Sequence, residues 1–190
     1  MIHLTIDYVV AELNRYMRAR TGLAQDRVVA AALVTPDGEL NKDAKDMVVV
    51  EVVNVEEDRV YHSVETFSRR PDGTSEVIKP EVRVNLYVLF VGNFGKYGEA
   101  LKAVSLVISF FQHRHAFDYA TVPGLQGRKG RIALELFSAT FEQQNHLWGT
   151  LGAKYMPSVL YKIGMVDIRD EVVEGEVAPL EQILVNEQAE

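Results

Sequence analysis

The chain has no cysteine among its 190 residues and a single tryptophan. Without cysteine there are no disulfides, no thiolate zinc sites and no cysteine nucleophile. That composition fits a reducing compartment. Positive charge is also in short supply. Lys and Arg number 20 against 27 Asp and Glu, a formal net charge of −7. Such a balance argues against a general nucleic-acid or membrane-surface binder, both of which need a basic footprint. Arg128, Lys129 and Arg131 form one short basic cluster, in "QGRKGR". No run approaches the roughly 18 apolar residues needed to span a bilayer. The opening "MIHLTIDYVV" lacks the basic n-region and apolar core of a signal peptide. The expectation is a soluble, cytoplasmic protein with no membrane or nucleic-acid partner.

What is present is apolar and ordered. Hydrophobic residues make up 47% of the chain, enough to exclude a disordered polymer and to build one core. Ile2, Ile6, Val9, Val10, Leu13 and Met17 recur at helical spacing, with Asp7, Glu12, Arg15 and Arg18 assigned to the opposite side. This predicts an amphipathic helix ending near Gly22. "RVVAAALV" reads as a short strand before the Pro36-Asp37-Gly38 turn. "MVVVEVVNV", Met47 to Val55, lacks polar alternation and predicts a central strand covered on both faces. Glu56 to Lys79 is polar and reads as a long loop or irregular hairpin.

"VRVNLYVLFV", Val82 to Val91, predicts another strand, followed by a Gly92–Gly98 loop. Tyr97, Leu101, Val104, Ile108 and Phe111 then recur with helical period, and Leu106, Val107 and Phe110 widen the stripe. A heavily buried helix is expected there. "RIALELFS" predicts a strand with Ile132, Leu134 and Leu136 on one face and Glu135 on the other. Thr140 and Gln143 form a capping-box pattern ahead of a helix whose apolar face is Phe141, Leu147, Trp148 and Leu151, with Gly152 as its stop. Pro157 bars a helical Met156, and Val159, Tyr161, Ile163 and Met165 alternate along a last strand to about Ile168. The fold class is α/β or α+β: a single mixed sheet flanked by about three helices. Residues 1–170 are expected to form one domain. Residues 171–190 form an acidic tail with an apolar island at Leu180, Ile183, Leu184 and Val185.

Candidate chemistry is thin. "LFVGNFGKYGEALK" has a strand, a glycine-rich loop and a helix, but only Asn93 and Phe94 separate Gly92 from the Gly95-Lys96 pair. A phosphate-binding P-loop needs four residues there and Ser or Thr where Tyr97 stands. The glycines fit a tight strand-to-helix turn better. His113 and His115 stand at a helix end, and His3, His62 and His146 are scattered, so a third metal ligand is missing. A helix C-terminus explains the pair. No G-x-S-x-G elbow is present around Ser105, Ser109 or Ser158. No catalytic, cofactor-binding or metal-binding residue is assigned, and no cofactor.

Three stretches carry a resemblance: "VNLYVLF" (Val84 to Phe90), "YGEALKAVSLVISFFQ" (Tyr97 to Gln112) and "FEQQNHLWGTLGAKYMPSVLYKI" (Phe141 to Ile163). Together they resemble the cap, or tail-terminator, proteins of contractile injection systems, over residues 80 to 168. The Leu-Trp-Gly plus Tyr-x-Pro-Ser corner is the most specific part. The resemblance implies a non-enzymatic subunit that forms a ring with copies of itself, usually six. Such a ring ends an inner tube and its sheath, so tube and sheath proteins would be the partners. A baseplate adaptor or assembly chaperone of the same machine is the alternative, and a small-ligand or nucleotide-binding enzyme a more distant one. Trp148, Tyr155, Pro157, Tyr161, Phe111 and Asn93 are taken as structural or interface positions. The Val-rich Met47–Val55 segment and the tail island are taken as candidates for strand addition at an exposed sheet edge.

Overall fold

The computed structural model describes residues 1–58, 66–69, 75–78, 82–128, 130–168 and 176–177. Helix α1 (Ile2–Thr21) comes first, then strand β1 (Val28–Ala30) and a single 3₁₀ turn (Lys42–Ala44). Strand β2 (Met47–Glu57) is followed by β3 (Thr66–Arg69), β4 (Ser75–Ile78) and β5 (Val82–Asn93). Helix α2 (Tyr97–His113), β6 (Ala116–Asp118), β7 (Arg131–Phe137), α3 (Phe141–Leu151), β8 (Ser158–Ile168) and β9 (Glu176–Val177) complete the order.

The main sheet is mixed and six-stranded, in the order β1-β2-β5-β8-β7-β6. Only β1 and β2 run parallel. The other neighbours are antiparallel, and β2 and β5 pair from Met47↔Asn93 to Glu57↔Val84 with a bulge at Val52/Asn54. The mixed sheet with three helices is the expected class. A second, three-stranded sheet of order β3-β4-β9 was not foreseen. Its β3–β4 hairpin lies within the 56–79 stretch read as a loop or irregular hairpin. The tail island at residues 180–185, Lys129 and His62 fall outside the described residues.

Alternation along the strands sorts side chains to two cores. Val48, Val50, Leu86, Val88, Phe90, Tyr161 and Ile163 meet α1 and α2 on one face. Val49, Leu89, Val91 and Trp148 form a smaller core on the other face, with Leu33 and Ala44 from the β1–β2 connection. Period-two geometry requires this once a strand is covered on both sides. The central-strand expectation for Met47–Val55 therefore holds at Val48–Val50. The exposed-edge use of the same segment is corrected there, because β1 pairs with these three residues. Beyond them, among the described residues, no strand pairs with the outer side of Glu51–Glu57.

Two polar residues of α1 do structural work that spacing alone does not reveal. Asn14 is buried; its amide donates to the Val28 carbonyl at 2.9 Å and accepts from the Arg27 and Val28 N–H groups, each at 2.9 Å. The side chain thus saturates Val28 on the outer edge of β1, in the place of a further strand. Glu12, assigned to the polar side, is instead buried, ion-paired with Arg15 and, from beyond α2, with Arg114. A carboxylate can sit there only because two guanidiniums neutralise it.

Candidate assembly surface

The helix-to-strand corner is built by local rules. The Thr140 hydroxyl accepts from the Gln143 N–H at 3.2 Å, and the Gln143 side chain accepts from the Thr140 N–H at 2.9 Å, completing the capping box. Gly152 ends α3 with φ of 67°, in the left-handed region that glycine enters freely. Trp148 is only 5% exposed and packs into the smaller core. Its indole N–H is buried and has no acceptor among the described residues. Tyr155 lies 60% exposed with its ring edge-on to Trp148, centroids 5.5 Å apart. The Pro157 carbonyl accepts from the Gly92 N–H at 2.9 Å, which fixes the start of β8 against the end of β5.

Phe141 departs from the expected apolar face. It is 92% exposed, at the first position of α3, while Trp148 faces inward. Between Phe141 and Tyr155 lies an open cleft of about 470 Å³ floored by Trp148, with Gln144 and Asn145 on its wall. This side of the sheet therefore presents two large aromatic rings to solvent around a concave surface.

The opposite layer carries a second patch. Phe111 and Tyr161 are buried there, ring centroids 4.6 Å apart, and Phe90 touches both. Burial pushes the Tyr161 phenol above its ordinary pKa. The inward stripe of α2 is Ala100, Ala103, Val107, Phe110 and Phe111. The stripe expected to be buried is corrected: Tyr97 is 67% exposed, and Leu101 and Ile108 are exposed beside it. Both stripes have helical period but stand about a quarter-turn apart, at 100° per residue. Leu136 is likewise exposed, although Ile132 and Leu134 are buried as expected and Glu135 faces solvent. The six residues singled out thus do not form one site. Trp148, Tyr155 and Pro157 make the corner, and Phe111 and Tyr161 belong to the opposite core. Asn93 donates to the Ala44 carbonyl at 2.9 Å and ties the 3₁₀ turn to the end of β5.

The glycine-rich loop is architectural. A Cβ at Gly92 would stand 2.9 Å from the Ala100 carbonyl oxygen, so the strand end passes against α2 where no side chain fits. The Gly95 N–H, just ahead of α2, donates to the Asp46 carboxylate at 3.2 Å. A carboxylate already fills the position a phosphate would seek at that helix start. Asp46 itself adopts φ of 56°. No helix among the described residues is long and apolar enough to cross a membrane.

The chain is thus a mixed sheet with two helices on one face and one on the other, bearing unlike apolar patches on its two layers. The family follows from comparison: the Pvc16 N-terminal domain model matches residues 5–182, and the chain belongs to that family. Among solved structures, it is similar to the sheath/tube terminator of the extracellular contractile injection system PVC in its extended state. That match has a TM-score of 0.52 and 16% identity, covering 95% of this chain and 65% of the other. It is also similar to the tube-terminating cap of the anti-feeding prophage, with a TM-score of 0.58 and 15% identity, covering 91% of this chain and 58% of that one. The chain thus spans about three-fifths of the length of these relatives. No curated protein matches the sequence.

Proposed function

We propose that this chain is a ring-forming cap subunit that terminates the inner tube and sheath of a contractile injection system. Its family membership across residues 5–182 supports the reading, as does its likeness to a sheath/tube terminator and a tube-terminating cap. The single observation that carries the ring is the placement of exposed apolar side chains. Tyr97, Leu101 and Ile108 lie on the α2 layer, and Phe141 and Tyr155 on the α3 layer of the same sheet. Two unlike patches on opposite sides suit heterologous, head-to-tail contacts, which close into a ring when the rotation permits. Patches of that kind mark interaction surfaces. The role is geometric and non-catalytic, with six copies as the expected ring and tube and sheath subunits as partners.

The test is sedimentation velocity with negative-stain imaging of the purified chain. Closed rings with six-fold class averages are expected. In cells lacking the gene, tubes and sheaths should lose uniform length. A protein that stays monomeric at all concentrations, with injectors of normal length in its absence, overturns the reading.

A further inference from the structure

A cleft of about 610 Å³ opens between the C-terminal end of α1, the Lys45-Asp46 corner and the first turns of α2. Its floor is apolar, from Met17, Phe94, Ala103 and Leu106. Five cations line it, Arg18, Arg27, Lys45, Lys96 and Lys102, against only Asp46 and Glu99. Four of these seven charges are already engaged nearby. Arg18 pairs with Asp26, Lys102 pairs with Glu99, and the Asp46 carboxylate accepts from Gly95. Lys45 and Lys96 make no ion pair among the described residues. Arg27 donates to the Asp46 carbonyl at 3.0 Å, while its Nε is buried with no acceptor among the described residues. The cleft is therefore a greasy trough with surplus positive charge at its rim.

One segment of the chain has the complementary chemistry. From Asp170 to Glu190 there are seven acidic residues and no Lys or Arg, so the whole net charge of −7 resides in this stretch and residues 1–169 are neutral. Within it Leu180, Ile183 and Leu184 fall at i, i+3 and i+4, the spacing of an amphipathic helix seated in a groove. Glu181 lies within the apolar island and Glu187 follows it.

Chain reach favours a neighbour's cleft. β9 is held on β4, and β4 joins the main sheet at Val82. The cleft lies at the other end of β5, beyond Asn93 and about 35 Å away along the strand. Leu184 is seven residues past Val177, a span of at most about 25 Å. We infer that the acidic segment 178–190 docks into the α1–α2 cleft of a second copy, with its apolar trio on the Met17–Phe94–Leu106 floor and its carboxylates against Lys45, Lys96 and Arg27. The inference rests on the ring reading, since it links neighbouring subunits. It supplies a second, electrostatic contact, distinct from the exposed aromatic patches.

The absence of native cysteine permits a direct test on the full chain. Gln25→Cys at the cleft wall is combined with Gln182→Cys in the segment, leaving the apolar trio and the cations intact. Mild oxidation followed by non-reducing electrophoresis should give a ladder of linked copies for the double variant, and at most dimers for either single variant. Adding Lys45→Glu and Lys96→Glu, or raising salt to screen the pair, should cut the yield several-fold. A double variant linked only within one chain, seen as a faster-migrating monomer, overturns the inference. So does a missing ladder while sedimentation still shows rings, an outcome that leaves the ring reading standing. Monomers by sedimentation with no ladder overturn both.

Discussion

Trp148 offers the sharpest test of the corner, because its two halves pull in opposite directions. The ring fills the smaller core among Leu33, Val49, Leu89 and Val91. Burying an indole removes about 200 Å² from water, worth roughly 5 kcal/mol as an upper bound. Against this stands the buried N–H with no acceptor among the described residues, an orphan donor that costs about 1–3 kcal/mol. The cleft beside the ring is open to solvent, so a cavity left by truncation can fill with water. Trp148→Ala should therefore cost about 3 kcal/mol, the low end of the range for large aromatic truncations. Trp148→Phe loses about a quarter of the area but also discards the orphan donor, and should fall within about 1 kcal/mol of the parent. Urea unfolding followed by far-UV circular dichroism measures both, since the variants lose the only tryptophan fluorophore. If Trp148→Phe were as damaging as Trp148→Ala, the indole N–H would have an acceptor after all. An acceptor supplied by a neighbouring copy would then make the corner an interface. Sedimentation of the same two proteins separates lost folding from lost assembly.

Two other substitutions address the frame. Asn14→Leu keeps the volume but strands the Val28 N–H and carbonyl that Asn14 now satisfies; it should cost about 3 kcal/mol in thermal melts and, by baring the β1 edge, raise light scattering on standing. Glu51, half-buried on β2, has its pKa raised by burial, opposed by the Leu33 N–H that donates to its carboxylate at 3.0 Å. A carboxyl with a raised folded pKa favours the fold fully below the unfolded value, and that contribution is lost as pH rises through the folded one. Glu51→Gln keeps an acceptor for Leu33, so it should be more stable than the parent at pH 7 and lose that advantage near pH 4, where the parent carboxyl is protonated. A stability gap that stays constant from pH 4 to pH 8 would contradict the burial account.

Much of this architecture could be read from residues whose neighbours in sequence are also their partners in space. The Thr140–Gln143 box, the Gly152 stop and the stripe of Ile6, Val9, Leu13 and Met17 are local devices, and each stands where its pattern placed it. The Val-rich run of β2 announced burial on both faces, and Val48, Val49 and Val50 show it. The short strand read in "RVVAAALV" is β1, although only three of its residues pair; the 3-residue strand β6 was not legible, because it exists only through pairing with β7. Asn14 and Glu12 were missed because their partners, Val28 and Arg114, lie on other elements.

Helix α2 shows where pattern reading fails for a physical reason. Its sequence supports two apolar stripes about a quarter-turn apart, and period alone cannot say which one meets the sheet. The small residues decide. Ala100 and Ala103 allow close approach, and the Ala100 carbonyl lies where a side chain at Gly92 would be. A stripe led by Tyr97 and Leu101 would hold the helix too far out for that contact. The larger side chains are therefore left facing solvent, on the layer opposite Phe141 and Tyr155. An isolated subunit gains nothing from leaving such surface wet. The error in the sequence reading and the case for assembly thus have one origin: apolar residues in excess of what a single copy can bury.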